Sequence, residues 1–229
     1  MYEKLRMRVC AVNLALKDRG LVFQTWGNAS AVDREHKVVA IKPSGVDYTC
    51  MTPEHISVVD MDGNRVAGDL KPSVDIATHL ALYAEFSDIG GVIHTHSHYA
   101  TCFAQARSEI PCLGTTHADY FHGTIPLTAL PSPEQVCSDY EWNMGAIIIN
   151  CFHNRNPLNC PAALVAGHGP FTWGETVEDA LENACVLEEV ARMATHTFAV
   201  NGNAAPLEPY LLDKHFLRKH GKSSYYGQE

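Results

Sequence analysis

The stretch GGVIHTHSHYATC, from Gly90 to Cys102, places three histidines at alternating positions directly behind an apolar run. The run predicts a strand, and residues two apart on a strand point to the same face. His94 and His96 are therefore expected to form a pair. Imidazole is the commonest metal ligand near neutral pH, so the pair predicts part of a metal site, although such a tract is also typical of a strand end at the surface. His98 falls where strand should give way to helix, and we expect it to point elsewhere.

A second histidine motif, LVAGHGP, places His168 between Gly167 and Gly169 behind another apolar strand. The two glycines leave room for the imidazole ring to face a ligand, although glycine-flanked histidines also occur in plain turns. Together with the His94 and His96 pair, His168 makes a three-histidine set. That is the ligand count of a catalytic zinc site whose remaining position goes to water or substrate.

Around these motifs the hydrophobic pattern alternates helices with short strands. The segment ISVVDMDGNRVAG, with Asp62 and Gly63 at its centre, predicts a β-hairpin. Hairpins mixed with helices on one core indicate an α/β fold with a largely antiparallel sheet covered by helices on both faces. The sequence predicts strands over KVVAI, GGVIHTH and AALVAG, and helices over MYEKLRMRVCAVNLAL and residues 75–86, 100–106, 134–149 and 175–197.

The composition sets limits on size and partners. The 229 residues are 46% hydrophobic, which is ample for a buried core, and we expect residues 1–229 to form a single domain because no linker or repeat interrupts them. The 17 basic and 26 acidic residues give a formal charge of −9, which argues against nucleic acid as a partner. The local exception is the basic run DKHFLRKHGK, which could hold an anion.

The sequence also predicts a protein of the cytoplasm. No stretch approaches the roughly 20 apolar residues that a membrane span requires, and the first helix lacks the apolar centre of a signal peptide. The eight cysteines show no C-x-x-C pair and are interpreted as free thiols of a reducing compartment, with Cys10, Cys102 and Cys185 buried. The core is expected to contain the three tryptophans, Trp26, Trp142 and Trp173.

Three loops in the first third of the chain suggest phosphate binding. Thr25 to Ser30 (TWGNAS), Lys42 to Gly45 (KPSG) and Lys71 to Ser73 (KPS) combine small residues, whose backbone amides can approach an anion, with hydroxyl or amide donors. None has the P-loop pattern, and this region lacks G-x-G-x-x-G, so a nucleotide is not expected. A small phosphorylated substrate is the interpretation that these loops favour, although each is also typical of an ordinary turn.

Ordered motifs along the chain resemble those of a known family. They are TWGNASAVD, IKPSGVDY, KPSVDIATHLALY, IGGVIHTHSHYAT, GTTHADYFHGTIP, GHGPFTWG, NACVLEEVA, LDKHFLRKHG and YYGQ. Together they resemble the zinc-dependent class II aldolase/epimerase superfamily, and within it the L-ribulose-5-phosphate 4-epimerases and their close paralogues. The resemblance implies a three-layer αβα domain in a cyclic homotetramer whose active sites lie between neighbouring subunits.

The resemblance also implies the site. It implies one Zn²⁺ per subunit, held by His94, His96 and His168 with Asp75 adjoining the metal. The superfamily's aldolases carry a catalytic glutamate at the position of Asp75, so this aspartate favours an epimerase. The implied catalytic acid/base residues are Asp119 and Tyr226, the tyrosine coming from the adjacent subunit.

The substrate implied by the resemblance is a small phosphorylated ketopentose. Family members usually carry a second serine where this chain has Val74, so one hydroxyl donor is missing here. His215 and Arg218, in the basic run, match positions that reach into the neighbour's site. The implied substrate-binding residues are Gly27, Asn28, Ser44, Gly45, Ser73, His215 and Arg218.

The implied reaction interconverts L-ribulose 5-phosphate and D-xylulose 5-phosphate by retro-aldol cleavage and re-addition. Two alternatives remain open from the sequence. One is a class II aldolase that releases the fragments of a small sugar phosphate. The other is a non-catalytic protein that binds zinc or a sugar phosphate, against which the retention of Asp119 and the tail tyrosine argues.

Overall fold

The computed structural model describes residues 2–221 and 224–225, and within them the chain forms seven strands in one sheet. The strands are β1 (Asn28–Asp33), β2 (Val38–Ile41), β3 (Ser57–Asp60), β4 (Arg65–Ala67), β5 (Gly91–His94), β6 (Ala162–Val165) and β7 (Gly169–Gly174). Their order is β4-β3-β2-β1-β5-β7-β6, and each strand is antiparallel to its neighbours. The predicted antiparallel sheet and the hairpin at Asp62 and Gly63 are confirmed.

Helices cover both faces of this sheet, as predicted. They are α1 (Glu3–Asp18), α2 (Ile76–Glu85), α3 (His98–Ala106), α4 (Thr115–Ala118), α5 (Pro133–Cys137), α6 (Tyr140–Asn150), α7 (Val177–Val200) and α8 (Pro209–His220). Because side chains alternate along a strand, Val39 and Val92 pack in one buried cluster with residues of α2 and α6. Their neighbours Val38 and Ile93 pack in a second cluster with α1 and the start of α7. The three-layer αβα architecture follows.

Strand β5 lies in the middle of the sheet, between β1 and β7, and the beginning of α7 packs directly on it. A capping box fixes that beginning: the Thr176 hydroxyl accepts from the Asp179 amide at 3.1 Å, and the Asp179 carboxylate accepts from the Thr176 amide at 3.0 Å. A methyl group on Gly91 would lie 2.6 Å from the Val177 nitrogen, so the approach requires a residue without Cβ.

The secondary structure differs from the sequence predictions in several places, among them helices α4 and α8, which were not predicted. Strand β1 was not predicted, because its residues NASAVD are small or polar and give little hydrophobic signal. The predicted helix over residues 134–149 is two helices, because Ser138 leaves the helical conformation and the Asn143 amide donates to the Gln135 carbonyl there. The loop expected around His168 is a tight turn that joins β6 to a further strand, β7.

Several burial predictions were wrong. Trp173 is fully buried, but Trp26 and Trp142 expose 51% and 48% of their surface. All eight cysteines are free, yet Cys102 is exposed and Cys185 is only half-buried, whereas Cys10 is buried as expected. Among the described residues, no helix combines the length and the apolar character needed to cross a membrane.

Replacing Gly91 by alanine tests the contact between β5 and α7. We expect Gly91→Ala to lower the free energy of unfolding by about 1–3 kcal/mol or more, because the added methyl overlaps helix backbone that cannot move aside. Urea denaturation measures the loss. The matched control is Gly114→Ala, where the backbone is extended and a Cβ would meet nothing within 4 Å. Equal stability of the two variants would contradict the prediction.

Candidate metal centre and substrate cleft

The structure brings the three predicted histidines together. His94 is the last residue of β5, His96 follows in the segment that leads to α3, and His168 lies in the turn between β6 and β7. One ring nitrogen from each histidine lies within 4.8 Å of one from each of the others, and the Nε2 atoms of His94 and His96 are 3.0 Å apart. Because β5 ends at His94, the turn after the strand, rather than strand alternation, brings His96 to the centre. His98 is exposed at the start of α3.

Hydrogen bonding orients His94, the most buried of the three histidines. The Nδ1 of His94 donates to the Pro170 carbonyl at 3.0 Å, and the ring stacks on Phe171 with centroids 4.3 Å apart. This bond fixes the tautomer that leaves Nε2 free to bind a metal. The Nδ1 of His168 is buried and has no hydrogen-bond partner in the described residues. A buried nitrogen without a partner is costly, so this atom is available to a further ligand.

Burial sets the protonation state of the centre. It lowers the pKa of His94 to about 3, against the opposing charge of Asp75. Burial also lowers the pKa of His96 and that of His168. The three rings are therefore neutral at neutral pH, and each can offer a lone pair to a metal ion without first losing a proton.

Asp75 adds a carboxylate at the beginning of α2. Its Oδ2 accepts from the Asn28 amide at 2.6 Å and from the Ser73 hydroxyl at 3.4 Å. Burial alone would raise the pKa of Asp75, but His94 and His79 and the Asn28 amide outweigh it, so the pKa lies below its usual value. Three neutral imidazoles and one carboxylate form the donor set that Zn²⁺ prefers, and the unpartnered His168 nitrogen fits that ion.

A cleft of about 510 Å³ extends from the histidines, and all five of the phosphate-loop residues predicted above line it. The Asn28 amide lies 3.0 Å from the Ser73 hydroxyl. Gly27 has φ +77, and a Cβ there would meet the His94 carbonyl at 2.9 Å. The cleft is therefore lined both by the three histidines and by amide and hydroxyl donors. The five residues are Gly27, Asn28, Ser44, Gly45 and Ser73.

Lys42 opens the KPSG motif but is not among the substrate-binding residues predicted from the sequence. The residue is 1% exposed and lines the cleft. Its ammonium donates to the Thr25 carbonyl at 3.2 Å and lies 4.7 Å from the centre of the Tyr48 ring. Burial lowers the pKa of Lys42 to about 8, so the ammonium keeps most of its charge at neutral pH and suits a phosphate. The signal in the sequence is a lysine directly after the apolar strand Val38–Ile41.

Asp119, His215 and Arg218 form a second cluster. The Asp119 carboxylate accepts from Arg218 at 2.8 and 3.0 Å and from His215 Nδ1 at 3.1 Å. Burial would raise the pKa of Asp119, but the bonds from Arg218 and His215 outweigh it, so the pKa is lowered and the carboxylate stays ionised. None of these three residues lines the metal cleft of the same chain. Tyr226 lies outside the described residues.

The chain is similar to known proteins in sequence and in fold. The family model for the class II aldolase and adducin N-terminal domain matches residues 7–195. The chain is 52% identical to "L-ribulose-5-phosphate 4-epimerase UlaF" of Salmonella paratyphi A and to that of Salmonella typhi, over 99% of this chain and 100% of each relative. A solved structure of an L-fuculose 1-phosphate aldolase has a TM-score of 0.79 at 24% identity, covering 93% of this chain and 94% of its own. That likeness shows the fold.

Removing one histidine of the pair tests the metal centre. We expect His96→Ala to lose bound zinc, because only two imidazoles would remain at the centre. Elemental analysis of the purified, zinc-equilibrated variant measures the loss. The matched control is His98→Ala, which removes an exposed histidine two residues along and should keep the metal. Full zinc content in His96→Ala would contradict the assignment.

Proposed function

Because the chain belongs to the class II aldolase and adducin family, we propose that it is a zinc-dependent 4-epimerase that interconverts L-ribulose 5-phosphate and D-xylulose 5-phosphate. The full-length relatives named as 4-epimerases support this reaction. The observation that carries the proposal is the cleft, which joins a three-histidine centre to amide, hydroxyl and ammonium donors suited to a phosphate. Such a cleft suits a sugar phosphate whose reacting carbons lie near the metal.

The position of the inverted carbon dictates the chemistry. C4 of the ketopentose is not adjacent to the C2 carbonyl, so simple deprotonation at C4 would give a carbanion that no enolate stabilises. Cleavage between C3 and C4 avoids this problem, since the electron pair stays on an enediolate and C4 becomes an aldehyde. Rotation of the aldehyde before the bond re-forms inverts C4.

The metal would be held by His94, His96 and His168, with Asp75 adjoining it. A bound zinc ion supplies Lewis-acid stabilisation of the developing negative charge, worth several kcal/mol. Hydrogen bonds hold the ligands in place before the substrate arrives: His94 donates to the Pro170 carbonyl, and Asp75 accepts from the Asn28 amide.

The phosphate-binding residues of the cleft would retain the aldehyde fragment, which carries the substrate's phosphate, between the two half-reactions. Donors from Asn28, Ser44, Gly45 and Ser73 would bind the phosphate oxygens, and the Lys42 ammonium would supply a full positive charge. Anchoring one fragment keeps re-addition effectively unimolecular. Val74 contributes no hydroxyl at the cleft mouth, where it is 64% exposed.

Epimerisation needs a proton carrier on either face of C4, and we assign these roles to Asp119 and Tyr226 of a neighbouring subunit. Asp119 is supported by its geometry: Arg218 and His215 hold an ionised carboxylate that does not line the cleft of its own chain. A cyclic homotetramer would bring this cluster to the next cleft. The free cysteines are in keeping with a cytoplasmic enzyme.

The first experiment is incubation of the zinc-loaded protein with L-ribulose 5-phosphate. We expect D-xylulose 5-phosphate to form without accumulation of dihydroxyacetone and glycolaldehyde phosphate, because both fragments stay bound. Enzyme-coupled assays for each product in one sample measure this, with His96→Ala as the inactive control. Accumulating fragments would instead make the protein an aldolase, the activity named for the structurally similar L-fuculose 1-phosphate aldolase. No reaction in either sense would favour a non-catalytic binding protein.

Mixed oligomers test whether each site is built from two subunits. Asp119→Asn and His96→Ala should each be nearly inactive alone, since one lacks the carboxylate and the other the metal. When the two are co-expressed, a head-to-tail ring should contain about one quarter of sites with both groups intact, so activity should return. If each chain carried its own complete site, mixing would restore nothing.

A further inference from the structure

Trp26 is a large aromatic residue that the fold leaves exposed beside the metal centre. Its ring lies 6.0 Å from that of His96 and 5.6 Å from that of Phe23, and it lines the cleft. Phe23 is itself 63% exposed and Trp26 is 51% exposed. An adjoining pair of exposed aromatic rings at a polar cleft indicates a binding surface rather than core packing.

The backbone around Trp26 is held firmly although its side chain is exposed. The Tyr48 hydroxyl donates to the Trp26 and Gly27 carbonyls at 3.0 and 2.9 Å. The Lys42 ammonium donates to the Thr25 carbonyl at 3.2 Å. Both donors are buried. The exposed indole is thus presented by a fixed loop.

The indole stands on the open side of the centre. Of the three histidines, His94 is buried, His168 is half-buried and His96 is exposed, and Trp26 packs next to the exposed one. The phosphate donors Ser44 and Ser73 line the rest of the cleft. Trp26 therefore lies beside the exposed histidine of the centre, at the open side of the cleft.

We propose that Trp26, supported by Phe23, is a specificity-determining residue that keeps the reaction an epimerisation by shielding the enediolate fragment from water. This inference rests on the proposed function. After the bond between C3 and C4 breaks, the electron pair is on C3 and the C4 hydroxyl proton has gone to a base. If water protonates C3 before re-addition, the products are dihydroxyacetone and glycolaldehyde phosphate, and the base returns its proton to the hydroxide. The indole prevents this protonation of C3, since excluding water protects a reactive intermediate.

The test measures how the cleaved intermediate divides between fragment release and re-addition. This ratio separates a loss of shielding from a general loss of activity. For zinc-loaded Trp26→Ala we expect the ratio of glycolaldehyde phosphate released to D-xylulose 5-phosphate formed to rise by about tenfold. In D₂O the released dihydroxyacetone should carry deuterium at the former C3. Trp26→Phe should restore most of the shielding. The matched control is Trp142→Ala, which removes an equally exposed indole that does not line the cleft and should leave the ratio unchanged.

Two results would overturn the inference alone. One is an unchanged partition ratio in Trp26→Ala with zinc content and circular dichroism like those of the wild type. The other is an unchanged ratio accompanied by dissociation of the oligomer in sedimentation experiments, which would make Trp26 an interface residue. A wild-type protein that forms no D-xylulose 5-phosphate would overturn the proposed function, and the inference with it.

Discussion

The pairing register of β5 is the constraint on which the rest of the site depends. It sets Asn28 of β1 opposite His94, and His94 opposite Phe171 of β7. The start of β1, the end of β5 and the start of β7 therefore lie side by side at the same end of the sheet. The Asn28 amide, the His94 ring and the turn that carries His168 thus become neighbours without any long loop to order.

Helix α2 makes hydrogen bonds to strand β1 near the same end of the sheet, from two successive turns. Asp75, at its beginning, accepts from Asn28, and one turn later the buried His79 pairs its Nδ1 with the Ser30 hydroxyl at 2.7 Å. The hydroxyl of Tyr83, a further turn along, lies 2.8 Å from the same serine oxygen. Burial lowers the pKa of His79 to about 4, so this network stays neutral beside the charged Asp75. The hydrogen bonds between β1 and α2 thus hold the beginning of the helix, and with it the Asp75 carboxylate, in place.

The sequence was sufficient for the architecture and for most of the cleft. Glycine-bounded apolar strands, a hairpin signal and helical periodicity predicted the layers, and the histidine motifs predicted the groups that converge. Strand β1 escaped prediction because small residues such as Ala29 and Ala31 pack well in a sheet interior yet carry little hydrophobic signal. The prediction that Trp26 is buried was wrong because a large apolar ring is usually found in the core, whereas here the loop that carries it faces the cleft. Asp119 could not be located from one sequence, because its distance from the cleft is set by how helices α4 and α8 pack.

The close contact of Gly91 with helix α7 has a consequence for how this scaffold can diversify. Positions such as Gly91 tolerate almost no exchange, since any side chain there would overlap helix backbone. Val74 and Trp26, by contrast, expose more than half of their surface at the cleft mouth, so exchanging them leaves the frame intact. The positions that hold the frame together and the positions at the cleft mouth are therefore separate sets. A lineage built on this fold can therefore exchange residues at the cleft mouth while the contact between β5 and α7, and with it the folded state, is kept.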